Sequence, residues 1–135
     1  ANGTSFRVTY AGLSQQWAGF GCDLTSEMVG TATTLSMKVK NDGTSASSFK
    51  VDVGNKPDGG DLVNKVTAAS YTDASGSHDI TLGSYMVTVP AGETVTLTVT
   101  FTNDNISGMN ILADSLESDY ASKVGNLVFG EFTFA

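Results

Sequence analysis

The chain has 135 residues, 40% hydrophobic and 16% charged, with fourteen acidic residues against seven basic ones and a net charge of −7. That length fits one domain, residues 1–135, with a single core. The acidic balance and the scatter of the basic residues exclude a nucleic-acid backbone and an anionic bilayer as partners, and no apolar run is long enough to span a membrane.

Read in chain order, period-two alternation dominates. In FRVTY, Phe6, Val8 and Tyr10 share one parity. The next stretch, LSQQWAGFG, breaks the pattern and holds the only tryptophan, Trp17, among Ser, Gln, Ala and Gly. Nothing local can wall in that ring, so Trp17 is expected to stand exposed while Phe20 anchors the loop. LSMKVKN alternates Leu35, Met37 and Val39 with Ser36, Lys38 and Lys40. FKVDV alternates Phe49, Val51 and Val53 with Lys50 and Asp52. Further strands are expected at Val66–Ser70, Asp79–Leu82 and Tyr85–Val89. TVTLTVTFT sets Val95, Leu97, Val99 and Phe101 against five threonines. Met109–Asp114 and Leu127–Phe134 close the series, and only Ser115–Ser122 reads as a turn of helix.

Turn signals punctuate these runs at Asn41-Asp42-Gly43, Pro57-Asp58-Gly59-Gly60, Ala74-Ser75-Gly76-Ser77, Pro90-Ala91-Gly92 and Asn103-Asp104-Asn105. Half-buried strands at such spacing predict an all-β fold, a two-sheet antiparallel β-sandwich, with its apolar faces packed about 10 Å apart. The sequons Asn2-Gly3-Thr4 and Asn105-Ile106-Ser107 fit the glycosylation pattern. The chain starts without Met and is rich in Thr, Ser and Gly, which reads as a mature, secreted module.

Catalytic chemistry finds little footing. The single histidine, His78, sits in a Ser/Gly/Asp turn, and the single cysteine, Cys22, cannot form an internal disulfide. There is no nucleophile elbow, phosphate loop, dinucleotide fingerprint or zinc spacing. Of the carboxylates only Asp114 and Glu131 fall on expected strands, and an enzyme is not expected. DGGD (Asp58–Asp61) and TDASGSHD (Thr72–Asp79) cluster oxygen ligands without matching a calcium loop, so a structural calcium stays open and its ligands unknown.

The positive signal is for sugar binding. A pyranose offers an apolar C–H face and a rim of hydroxyls. An indole can lie against the first, and amides or carboxylates can meet the second. Trp17 with Gln15 and Gln16 supplies both. Tyr71, Tyr85 and Tyr120 are candidate second platforms, and Asn110 and Asp114, of one parity, are candidate floor residues.

The order SFRVTYAGLSQQWAGFG, LSMKVKND, VTVPAGETVTLTVTF, MNILADS and GNLVFGEFTF resembles the β-jelly-roll carbohydrate-binding modules appended to bacterial plant-cell-wall glycoside hydrolases. The resemblance implies a non-catalytic, monomeric module that holds a polysaccharide or oligosaccharide chain, such as β-glucan, xyloglucan or a related β-linked hemicellulose, for an appended hydrolase domain. It also implies that a structural calcium is common. Such modules often show two or three tryptophans, and the single one here favours a groove gripping one soluble chain. The rival reading is a structural or adhesive β-sandwich of a cell-surface or scaffold protein, with Trp17 buried or in a protein interface.

Overall fold

The computed structural model describes residues 5–57 and 60–135. The Asn2-Gly3-Thr4 sequon and the Asp58-Gly59 part of the Pro57–Gly60 turn, which opens DGGD, lie outside the described residues.

Eleven strands form two antiparallel sheets: β1 Ser5–Ala11, β2 Phe20–Asp23, β3 Thr34–Asn41, β4 Ser47–Asn55, β5 Val63–Asn64, β6 Val66–Asp73, β7 Gly76–Ile80, β8 Val87–Val89, β9 Thr94–Phe101, β10 Gly108–Ala113 and β11 Val124–Phe134. The first sheet has the order β1-β11-β3-β9-β6-β7. The second runs β2-β10-β4-β5, with β8 also paired to β4. Set aside β5, β6 and β7, and eight strands remain, in the orders β1-β11-β3-β9 and β2-β10-β4-β8. The chain passes from sheet to sheet at every step except β4 to β8. That is the jelly-roll arrangement of two interlocked Greek keys. The hairpin β6–β7 is an insertion in the β4–β8 connection that widens the first sheet.

The alternation expected from sequence is what the strands bury. Leu35, Met37 and Val39 of β3, Phe49, Val51 and Val53 of β4, and Val95, Leu97, Val99 and Phe101 of β9 are all buried. Each such side chain contributes about 1.5–3 kcal/mol relative to exposure. Phe129 sits at the centre, edge-on to Phe49 at 5.3 Å and stacked with Phe6 at 5.4 Å between ring centroids. Asn41 is the polar exception. Fully buried, it donates to the carbonyls of Ser45 and Val89 and accepts from the Gly43 amide, fastening the β3–β4 turn to β8.

Four expectations need correction. β2 begins inside the stretch read as a loop, because Gly19 and Gly21 let that segment press against β10. Asp79–Leu82 is displaced: the strand there is Gly76–Ile80, since the turn after Asp73 is tighter than its composition suggested. The helical turn expected within Ser115–Ser122 is a 3-10 turn at Tyr120–Ser122. The one α-helical turn, α1 at Ser26–Val29, starts after Thr25, whose hydroxyl accepts from the Met28 amide as an N-cap.

Candidate functional site

Three segments meet at one end of the sandwich. The β1–β2 loop carries Gln15, Gln16 and Trp17. The β10–β11 loop carries Asp114 and Tyr120. The approach to β8 carries Tyr85. Hydrogen bonds across long stretches of sequence bind these together. The Gly12 amide donates to the Lys123 carbonyl at 2.7 Å and the Trp17 amide to the Ser115 carbonyl at 2.8 Å. Gln16 Nε2 donates to the Leu116 carbonyl at 2.7 Å.

Trp17 is 61% exposed, the most open large apolar side chain among the described residues. Its backbone sits at φ 64°, a left-handed conformation costing a bulky residue about 1–2 kcal/mol. Such strain persists only where the surroundings fix it. Here the fixing comes from the Trp17 and Gln16 bonds to the opposing loop. Phe20, by contrast, turns into the core and meets Phe6 edge-on at 5.8 Å. The loop thus buries its phenylalanine and leaves its indole in water.

Beneath this end lies a latch. Asp114 was expected on the sugar-facing floor with Asn110. It instead ends β10 at φ 54° and is only 5% exposed. The left-handed turn takes it out of strand parity. Its Oδ2 accepts from the Tyr10 hydroxyl at 2.5 Å, and its Oδ1 accepts from the Ser48 amide at 3.0 Å. Burial first, and then the bond to Asp114, push the Tyr10 phenol well above the usual tyrosine value. Tyr10 lies across its strand partner Gly125, where a Cβ would collide with the ring.

The other candidates divide clearly. Tyr85 is half-buried, and its hydroxyl accepts from the Leu116 amide at 2.9 Å. It anchors the loop that receives Trp17, and burial raises its phenol above the usual value. Tyr120 is half-buried at the start of the 3-10 turn. Gln15 is exposed, whereas Gln16 has its amide nitrogen committed to the loop tether. Asn110 lies on the outer face of the second sheet, opposite Gly21 on β2 and Asp52 on β4. A Cβ on Gly19 would come within 3.0 Å of Asn110 Oδ1. Gly19, Gly21 and Asn110 line an open trough of about 460 Å³, which Lys56, Asp61 and Leu62 also border. Gly19 brings one end of the trough to within two residues of Trp17.

Tyr71 is elsewhere. On β6, at the far side of the first sheet, it stacks on His78 with centroids 4.7 Å apart. His78 Nε2 lies 3.0 Å from Asp73 Oδ1 and 2.9 Å from Ser75 Oγ. One nitrogen serves both partners, so this is not the two-sided arrangement of a serine triad. Hydrogen bonds from the Ser75 hydroxyl and amide, then from His78, hold Asp73 down to about 2. Cys22, on β2, is at the opposite edge of the sandwich from His78. Strand alternation sends Asp73 and Asp79 to opposite faces of the β6–β7 hairpin. Among the described residues no three His, Cys, Asp or Glu side chains gather as a metal site.

Sequence reasoning missed the glycine-floored trough, because its glycines read as loop punctuation. Compared with known proteins, the chain matches no family model and no curated sequence.

Proposed function

We propose that this protein is a non-catalytic carbohydrate-binding domain that holds a β-linked plant cell-wall polysaccharide, of the β-glucan or xyloglucan kind, and so concentrates an attached glycoside hydrolase on its substrate. The observation that carries the reading is the open indole of Trp17 on a tethered, left-handed backbone. A ring carried on an already fixed backbone loses less entropy when a sugar stacks on it than one on a loose loop. Gln15, exposed in the same loop, offers amide groups to the hydroxyl rim, and the trough past Gly19 gives the chain a path to Asn110. Tyr120 is the candidate second ring at this end. A few stacked contacts correspond to micromolar affinity, about 7–8 kcal/mol. The gain to the hydrolase is effective concentration. The setting proposed is extracellular, with the domain acting as a monomer.

Affinity electrophoresis tests this. Wild type should be retarded in gels containing β-glucan or xyloglucan, while Trp17→Ala migrates freely. Equal mobility of the two proteins in every gel would remove Trp17 from the account.

A specific observation favours the structural or adhesive reading as the second. An apolar cleft of about 240 Å³ opens between the β1 and β2 edges, with Phe6, Met28, Phe132 and Phe134 in its walls. A neighbouring protein surface would cover it. That reading expects no retardation by any polysaccharide.

A further inference from the structure

The outer face of the first sheet carries three of the seven basic residues, Arg7 on β1 and Lys38 and Lys40 on β3, on the two strands that flank β11. Its register makes two rows. In one, Arg7 pairs with Val128, Val128 with Lys40, and Lys40 with Thr94. In the next, Ser5 pairs with Gly130, Gly130 with Lys38, and Lys38 with Thr96. Gly130 contributes no side chain at the middle of the second row. An open depression of about 400 Å³ lies there.

Two carboxylates serve this face. Asp42 is held between Arg7 at 3.0 Å and Lys40 at 3.3 Å. Glu131 reaches Lys38 at 3.1 Å, with both side chains more than half exposed (64% and 54%). Glu131 gets there only because β11 breaks register between Gly130 and Thr133, with Glu131 itself at φ 52°. A left-handed glutamate is costly, and the exposed ion pair it makes is worth little in water. The surface therefore keeps a carboxylate over the depression through a weak, replaceable contact.

We infer that this face is a second binding site, for a carboxylated sugar such as a uronic acid residue of an acidic polysaccharide, with Glu131 holding the place of the ligand's carboxylate. In the bound state the uronate carboxylate takes Glu131's position on Lys38, and Lys40 supplies a second cation. The Ser5, Thr94 and Thr96 hydroxyls meet ring hydroxyls, and Val128 lies under the apolar ring face. No bond is made or broken. The site is on the sheet opposite the trough and shares no residue with the Trp17 end, so it stands or falls separately from the proposed glucan site.

The test is calorimetric titration with oligogalacturonate, using neutral oligogalactan and dextran sulfate as controls, at low and high salt. Wild type should bind oligogalacturonate, more weakly as salt rises, and neither control comparably. Lys38→Gln with Lys40→Gln should weaken binding by about tenfold or more. Glu131→Gln should strengthen it several-fold, because the internal competitor is gone. Trp17→Ala should leave it unchanged. The inference is overturned by no binding, by equal binding of the double lysine variant, by no gain from Glu131→Gln, by loss in Trp17→Ala, or by equal binding of dextran sulfate.

Discussion

Two regions of the molecule, the Trp17 end and the β6–β7 hairpin with Tyr71, each combine an aromatic ring with a hydrogen-bonded aspartate, and they are held in opposite ways. At the Trp17 end the fastening bonds join residues about a hundred apart in sequence: Gln16 to Leu116, and Tyr10 to Asp114. At the β6–β7 hairpin the bonds span two to five residues: Ser75 to Asp73, and His78 to Asp73. Long-range bonds exist only when the whole sandwich is folded, so the first region's geometry is as rigid as the fold. The second is a local turn on an inserted hairpin, and one face of Tyr71 is already taken by His78. An open ring on a globally fixed backbone makes the better platform.

The largest effect should come from cutting the latch. Asp114→Ala leaves the Tyr10 hydroxyl only its longer 3.4 Å bond to Ser47 Oγ, removes the acceptor of the Ser48 amide and puts alanine at φ 54°. Urea denaturation should show a loss of about 3 kcal/mol. The raised Tyr10 phenol gives the same region a pH signature. A folded-state value above the unfolded one stabilises below the ordinary tyrosine value of about 10 and fades as pH climbs beyond it. Thermal melts above pH 10 should therefore fall more steeply for wild type than for Tyr10→Phe.

Next in size is Trp17→Gly, which separates binding from folding. Glycine accepts the left-handed backbone, so stability should hold or rise by up to about 1 kcal/mol, while polysaccharide affinity drops about tenfold or more. A large loss of stability instead would mean that the indole serves the fold. Gln16→Ala should cost about 1 kcal/mol of stability and a smaller share of affinity, since it loosens the tether without touching the ring.

The smallest effect belongs to the hairpin. Asp73 is held at about 2, below the ordinary aspartate value, so its contribution is present at neutral pH and is lost only as pH falls toward that value. Asp73→Asn should flatten the acid limb of the stability profile slightly and leave polysaccharide binding untouched. A hairpin variant that abolished binding would reverse the ranking of the two regions.

The same contrast explains what the sequence made legible. Strand parity in β3, β4 and β9 was readable because each alternation is local, and it gave the sandwich directly. The exposure of Trp17 was readable because its neighbours are too small and polar to cover it. Asp114 was misplaced on the floor because its left-handed turn ends the strand parity on which that reading relied. Its partners Tyr10 and Ser48 are far away in sequence. Tyr85 was one of three candidate platforms in the sequence, and the partner that commits its hydroxyl, the Leu116 amide, is set by tertiary structure. The trough stayed hidden because Gly19 and Gly21 mark both a loop and a close strand approach, and composition does not separate the two.

The central claim is most directly tested by the emission of the chain's single tryptophan during titration with soluble β-glucan and xyloglucan. The free protein should show the red-shifted emission of a water-exposed indole, and a saturable blue shift should follow as a sugar ring covers it. An emission already typical of a buried indole, or one that no polysaccharide moves, would contradict it.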